Sequence, residues 1–243
     1  MAYSNSKLIC YTKLSPNKSI RTSKIKKITI HQMAGNCSIE VCGNIFANKS
    51  RQASSNYGIG SDGRIGMYVE EKHRAWTSSN RTNDNQAITI EVANDGGAPN
   101  WHVSDKALSA LIDLCVDICK RNGIKELNYT GDATGNLTKH EYFANTNCPG
   151  PYLGGKFSYI AEEVNKRLKP TTTTTNNNTT TVKPYLVKIT AKTLNVRKGP
   201  GTKYAIATTV KKNEVYTIVD KNGNWGKLKS GAGWISLSYT KKV

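Results

Sequence analysis

The chain has 243 residues, with 35 Lys and Arg against 17 Asp and Glu, a formal net charge of +18. That length supports one large or two smaller domains at roughly 100–200 residues each. No run approaches the ~18 apolar residues of a membrane span, and six cysteines are too few for a disulfide-built scaffold. The opening residues MAYSNSKLIC lack the basic-then-apolar layout of a secretory leader. The charge favours an anionic partner, whether nucleic acid, membrane surface or bacterial wall, and composition alone does not choose among them.

In chain order, residues 25–31 (IKKITIH) alternate, with Ile28 and Ile30 on one face. Residues 87–93 (AITIEVA) do the same with Ile88, Ile90 and Val92. Residues 104–122 read as a helix, N-capped by Ser104, striped by Leu108, Leu111, Ile112, Cys115 and Cys119, and stopped by Gly123. A second helix covers 157–168, with Phe157, Ile160, Ala161, Val164 and Leu168 inward. Strands interleaved with helices predict an α/β domain.

Eleven consecutive Thr and Asn follow Pro170 and cannot bury a core, so residues 170–184 read as an extended linker. It divides the chain into domains at 1–169 and 185–243. The second has no helical period. It offers short strands (KITAKTLNV, AIATTV, EVYTIVD, WGKLKS, GWISLS) between Gly, Asn and Pro turns, the pattern of a small β-barrel. Residues 1–169 carry net +7 and residues 170–243 net +11, so most of the basic excess lies in the smaller part.

Side chains alternate between the two faces of a strand. His31 therefore points away from Ile28 and Ile30, and Glu91 away from Ile88 and Ile90. If the two strands share a sheet, both face one cleft. A third element, TKHEYFANTNCPG, holds His140 and Cys148 eight positions apart. Two imidazoles and a thiolate are good zinc ligands and leave a fourth position for water. A His and a Cys at that spacing are a weak signal alone.

The order KITIHQMAG, SSNYGIGSDGRI, RAWTSS, NQAITIEVAN and the His140 to Cys148-Pro-Gly segment resembles the zinc N-acetylmuramoyl-L-alanine amidases that share their fold with the peptidoglycan recognition proteins. It is similar in particular to the amidases of phage and prophage endolysins from Gram-positive bacteria. The resemblance covers residues 20–168. It implies an α/β fold with a central mixed sheet flanked by helices and a zinc cleft on one face. It also implies zinc held by His31, His140 and Cys148, with Glu91 as general base toward a zinc-activated water. The bond cut would join N-acetylmuramic acid to the L-alanine of the stem peptide. Tyr57, Trp76 and Thr146 are the expected substrate-binding residues, with a structural aromatic as the alternative reading of Tyr57.

Departures from the family pattern are specific. Ser55 and Asn56 stand where some relatives have a catalytic Tyr. Thr146 stands where some relatives place a Lys two residues before the ligand Cys, and Thr77 follows Trp76 where many relatives have His. His73 could compensate or be an ordinary surface histidine. Cys115 and Cys119 read as core, and Cys37 and Cys42 as free thiols, with a disulfide or second metal as alternatives.

LNVRKGPG, NWGKL and GWISLSY resemble a bacterial SH3-like domain over residues 186–240, which implies binding to cell-wall peptidoglycan and anionic wall polymers. Arg197, Tyr204 and Trp225 are its expected wall contacts. Arg197 could equally serve the adjacent turn, and Trp234 is expected in the core. The expected protein is therefore a wall hydrolase made in the cytoplasm and acting on the extracellular wall. The alternatives are a non-catalytic peptidoglycan binder or a hydrolase of a peptide bond within the stem. No helix-turn-helix, finger or RNA-binding signature supports a nucleic-acid partner.

Overall fold

The computed structural model describes residues 3–169, 184–202 and 204–243. The chain divides into two compact units, Met1–Pro170 and Thr171–Val243. The segment expected as a linker lies outside the described residues except for Pro184. Among the described residues no helix is long and apolar enough to cross a membrane.

The first unit runs β1 (Tyr11–Thr12), β2 (Lys18–Ile20), β3 (Lys27–Gln32), α1 (Ile39–Ala47), β4 (Tyr57–Ile59), β5 (Ile65–Met67), β6 (His73–Ala75), α2 (Arg81–Gln86), β7 (Ala87–Val92), α3 (Asp105–Asn122), β8 (Leu137–Lys139), α4 (Pro151–Gly154) and α5 (Phe157–Leu168). Six strands form a mixed sheet in the order β1-β5-β4-β7-β3-β8. Strands β4, β7, β3 and β8 are parallel, and β5 is antiparallel to β4. Ile28, Ile30, Ile88 and Ile90 on one face are fully buried with α3 and α5 in the main core. The alternation that predicted β3 and β7 thus reports that face. The opposite face of the same strands carries Thr29, His31, Thr89 and Glu91.

Helix α3 begins where Ser104 Oγ accepts from the Ala107 N–H and ends at Gly123, whose φ of 69° favours a glycine. Cys115 and Cys119 lie in its buried stripe as predicted. Helix α5 also matches, with Leu168 only partly buried at its end. Helix α1 was not predicted. Ser38 caps it through the Val41 N–H, and Ile39, Cys42, Gly43 and Phe46 face inward.

The second unit is a seven-stranded antiparallel sheet: β9 (Tyr185–Ile189), β10 (Thr193–Arg197), β11 (Ile206–Lys211), β12 (Val215–Asn222), β13 (Trp225–Leu228), β14 (Trp234–Ser236) and β15 (Thr240–Lys242). Their order is β11-β10-β14-β13-β12-β9-β15. KITAKTLNV, expected as one strand, is split between β9 and β10. Ile189 and Leu194 are both core residues an odd number of positions apart, so one straight strand would send them to opposite faces. Trp234, expected in the core, is not there. Its neighbour Ile235 is fully buried, so Trp234 projects from the opposite face, under Lys227 Nζ at 6.0 Å from its ring centre.

Candidate metal centre

The centre sits at the carboxyl ends of three parallel strands, where open α/β sheets commonly place ligands. In the β3–β7 ladder His31 is directly opposite Glu91. Strand β8 pairs with β3 through Ile30 and Lys139, so the next residue, His140, arrives level with His31. The two imidazole rings are 4.4 Å apart, centre to centre.

Cys148 comes from the following loop, and its Sγ accepts from the Gln32 N–H at 3.3 Å. Thr146 Oγ1 accepts from the Cys148 N–H at 3.3 Å. Gly150 closes this loop at φ 82°, and a Cβ there would meet Gln32 Oε1 at 2.5 Å, so glycine serves both the turn and the close approach.

One donor atom from each of His31, His140 and Cys148 lies within 4.8 Å of the others. Both Nε2 atoms of the histidines are buried with no hydrogen-bond partner, the orphaned state expected of nitrogens that serve a cation. Burial lowers the proton affinity of both imidazoles, and His140 adds to the effect at His31. They are therefore held neutral, with lone pairs free. Burial, with the Glu91 charge, pushes the Cys148 thiol up, a tendency that a bound cation reverses. The donor set fits a divalent, thiophilic ion such as zinc.

Beneath the centre lies a buried polar layer. Thr29 and Thr138 hydroxyls are 2.9 Å apart, and Asn83 Nδ2 donates to Thr29 Oγ1 at 3.0 Å. Thr77 and Thr89 hydroxyls also meet at 2.9 Å. Ser55 and Asn56 are spent in the same layer. Ser55 Oγ donates to the Thr89 carbonyl at 2.9 Å, and Asn56 Oδ1 accepts from the Thr89 N–H at 3.2 Å.

The cleft above has a volume of about 500 Å³ and is lined by the three donor residues, Glu91, Trp76, Thr77 and Thr146. Glu91 is partly buried, and desolvation raises its carboxyl to about 8, opposed by the positive charge of Arg51. Trp76 is anchored by its indole N–H, which donates to Ser19 Oγ at 2.7 Å.

Tyr57 does not reach the cleft, which corrects the substrate-binding reading and leaves the structural one. It pairs with Ile90 across β4 and β7, so it shares the apolar face and is fully buried. Its hydroxyl donates to Glu71 Oε1 at 2.7 Å. His73 lies on β6 beside Glu70 and is absent from the cleft lining.

Residues not singled out from the sequence also line the cleft: Arg51, Phe46 and Trp101. Trp101 adopts a left-handed backbone, φ 51°, held by Asn94 Nδ2 donating to its carbonyl at 2.9 Å. A bulky residue in that conformation is a local hint of function. Cys37 and Cys42 are free thiols at the cleft wall.

In the second unit Arg197 and Trp225 line one groove. The Tyr204 ring packs on Gly199, where a Cβ would stand 2.5 Å from it, and its carbonyl accepts from Arg197 Nη1 at 2.8 Å. Tyr204 is absent from that groove's lining.

Residues 21–151, more than half of the chain, match the family model described as N-acetylmuramoyl-L-alanine amidase, and residues 192–241 match the bacterial SH3 domain. The chain is similar to N-acetylmuramoyl-L-alanine amidase A of Achromobacter lyticus, 32% identical over 114 residues that cover 45% of this chain and 60% of that protein. It thus spans less than two thirds of that relative's length. Its fold is similar to that of a mutant of PlyL, at TM-score 0.51 and 18% identity over 63% of this chain and 96% of the other. A mutant endolysin from Bacillus subtilis gives TM-score 0.50 and 17% identity over 63% and 97%. With the sheet, the cleft and the matched segment in agreement, the chain belongs to the N-acetylmuramoyl-L-alanine amidase family.

Proposed function

We propose that this protein is a zinc-dependent peptidoglycan hydrolase that cuts the amide between the lactyl group of N-acetylmuramic acid and the L-alanine of the stem peptide. The reading is carried by one observation: Glu91 stands in register with His31, and His31, His140 and Cys148 present three donor atoms within 4.8 Å of one another. These three residues would hold the zinc. When bound, it supplies Lewis acidity, polarising the scissile carbonyl and lowering the pKa of water.

The remaining chemistry belongs to the chain. In its ionised form, which a divalent cation held beside it would favour against the raised value of about 8, Glu91 accepts on a carboxylate oxygen a proton from the attacking water as oxygen bonds to the carbonyl carbon. The same proton passes to the alanine nitrogen as the C–N bond breaks. Trp76 and Trp101 offer ring faces to the sugar, and Thr146 lines the cleft beside Cys148. Residues 1–169 form the catalytic domain, 170–184 a linker and 185–243 a wall-binding domain acting through Arg197, Trp225 and Tyr204. The basic charge of the last part suits an anionic wall.

The test is mass spectrometry of muropeptides after digestion. Free lactyl carboxyls together with free L-alanine amino groups are expected. New termini within the stem would assign a peptidase instead, and an intact digest a binding protein.

A further inference from the structure

We propose that Cys37 and Cys42 form a redox-linked pair, which a disulfide oxidant such as oxidised glutathione joins into a cystine that fastens the connection between β3 and α1 to the first turn of the helix. Three observations lead there. Ser38 is the N-cap of α1, its Oγ accepting from the Val41 N–H at 3.3 Å. Cys37 therefore stands one residue before the cap and Cys42 at the fourth helical position. Side chains at those two positions commonly meet across the start of a helix, as an apolar staple. Here the staple is made of two thiols. Both line the cleft, and both are free.

The other cysteines are placed differently. Cys115 and Cys119 are fully buried in the main core, out of reach of a dissolved oxidant. Cys10 is exposed, and its Sγ donates to the Ile65 carbonyl at 3.5 Å. Cys148 belongs to the metal centre. Among the described residues neither Cys37 nor Cys42 joins a group of three donors able to hold a metal, so their chemistry is that of a dithiol.

The two thiols differ as a stepwise oxidation requires. Cys37 is half-buried, whereas Cys42 is buried against Phe46 and Tyr68. Burial, helped by the Glu91 charge, pushes the Cys42 thiol up. Cys37 therefore meets the oxidant first. Its thiolate attacks oxidised glutathione, one glutathione leaves and a mixed disulfide forms. The Cys42 thiol gives its proton to solvent, attacks the Cys37 sulfur and expels the second glutathione. Two protein thiols and one glutathione disulfide become one cystine and two glutathiones. The second step is the slow one, because Cys42 must ionise.

The bond has a place to act. Met33, Ala34 and Cys37 of the connection and Cys42, Ile45 and Phe46 of α1 line the same cleft. The connection is tied to the sheet side by the Met33 N–H, which donates to the Val92 carbonyl at 2.9 Å, and by the Asn94 N–H, which donates to the Gly35 carbonyl at 3.0 Å. A cystine adds a covalent tie to the helix. Peptidoglycan lies outside the reducing cytosol, so a hydrolase of the wall passes from a setting that keeps thiols to one that closes them.

The experiment equilibrates the full chain, with zinc added, in glutathione buffers from fully reduced to fully oxidised, quenches with acid and alkylates the free thiols. Labelled thiols in the intact mass should fall by two from six. Glu40 lies between the two cysteines, so digestion at glutamate leaves two peptides joined until reductant is added. The midpoint of thermal unfolding should rise by about 5 °C on oxidation. In Cys37→Ser, and in Cys42→Ala, which buries no polar atom, neither the cystine nor the rise appears. Six labelled thiols in the most oxidising buffer overturn the proposal. So does a lasting glutathione adduct on Cys37, a bond from either residue to Cys10 or Cys148, a cystine that leaves the midpoint unchanged, or an equal rise in Cys37→Ser. Thiol counting reads the same whether or not the cleft hydrolyses peptidoglycan, so its failure is distinct from failure of the amidase reading.

Discussion

The two faces of the central sheet are made by the same strands and do opposite work. On one face Ile28, Ile30, Ile88, Ile90 and Tyr57 are fully buried against α3 and α5. On the other, Thr29, Thr89 and Thr138 form a polar floor, and His31 and Glu91 rise from it toward the cleft. A shift of one position along the strand separates a residue that packs in the core from one that lines the cleft. The apolar face supplies the rigidity on which the polar face depends, because a ligand set loses function when it loosens by about an ångström.

If that division holds, substitutions on the two faces should separate cleanly in their readouts. His140→Ala removes one of three donors from the polar face and a partly exposed ring from nowhere else. Activity is expected to vanish and bound zinc, measured by elemental analysis, to fall from about one per chain to near zero. Full zinc occupancy in this variant would disprove the ligand assignment. Glu91→Gln comes next. The amide keeps the side-chain shape but cannot accept the proton, so a loss on the order of 10²-fold or more is expected with zinc retained. Lysis at the original rate would hand the base to another residue.

Ile90→Ala tests the other face. It lies between Tyr57 and Ile30 in the ladder, and emptying that site should cost about 2–5 kcal/mol of stability. Chemical unfolding measures the loss. Below the unfolding transition, the folded fraction should still bind zinc and turn over substrate near the original rate. A variant of full stability but low activity would blur the division of the sheet.

How much of this was legible in the sequence depends on the range of the signal. Helices α3 and α5 announced themselves through caps and stripes, which are local. Strands β3 and β7 did so through alternation, and the same parity correctly sent His31 and Glu91 to one face. Helix α1 was missed because its nine residues mix Val41, Asn44 and Ile45 on the outward side with Ile39, Cys42 and Phe46 inward, which weakens the stripe. Phe46 comes to the cleft from α1, Arg51 from the turn after it and Trp101 from the connection between β7 and α3, and nothing local marks their meeting. Trp234, expected in the core, lies on the other face of its strand. The parity of Ile235 decides its side, and that became visible once β14 was paired with β10 and β13.

Tyr57 gives the smallest expected effect and the sharpest reading of the comparison. Its motif leaves a cleft place and a structural place open, and strand pairing decides between them. Opposite Ile90 it can only enter the core. There its hydroxyl donates to Glu71, a carboxylate with no solvent exposure, and accepts from the Ser6 N–H at 3.0 Å. Arg121 also holds Glu71, at 2.6 Å, so the carboxylate keeps a partner when the hydroxyl is removed. Tyr57→Phe should therefore cost about 1.5–3 kcal/mol, the range for a hydrogen bond to a charged group, seen as a lower unfolding midpoint. The values of kcat and KM should stay within about twofold, because the hydroxyl lies on the far side of the sheet from Glu91. A tenfold fall in kcat/KM at unchanged stability would return Tyr57 to the cleft and show that the apolar face, too, communicates with the reacting groups.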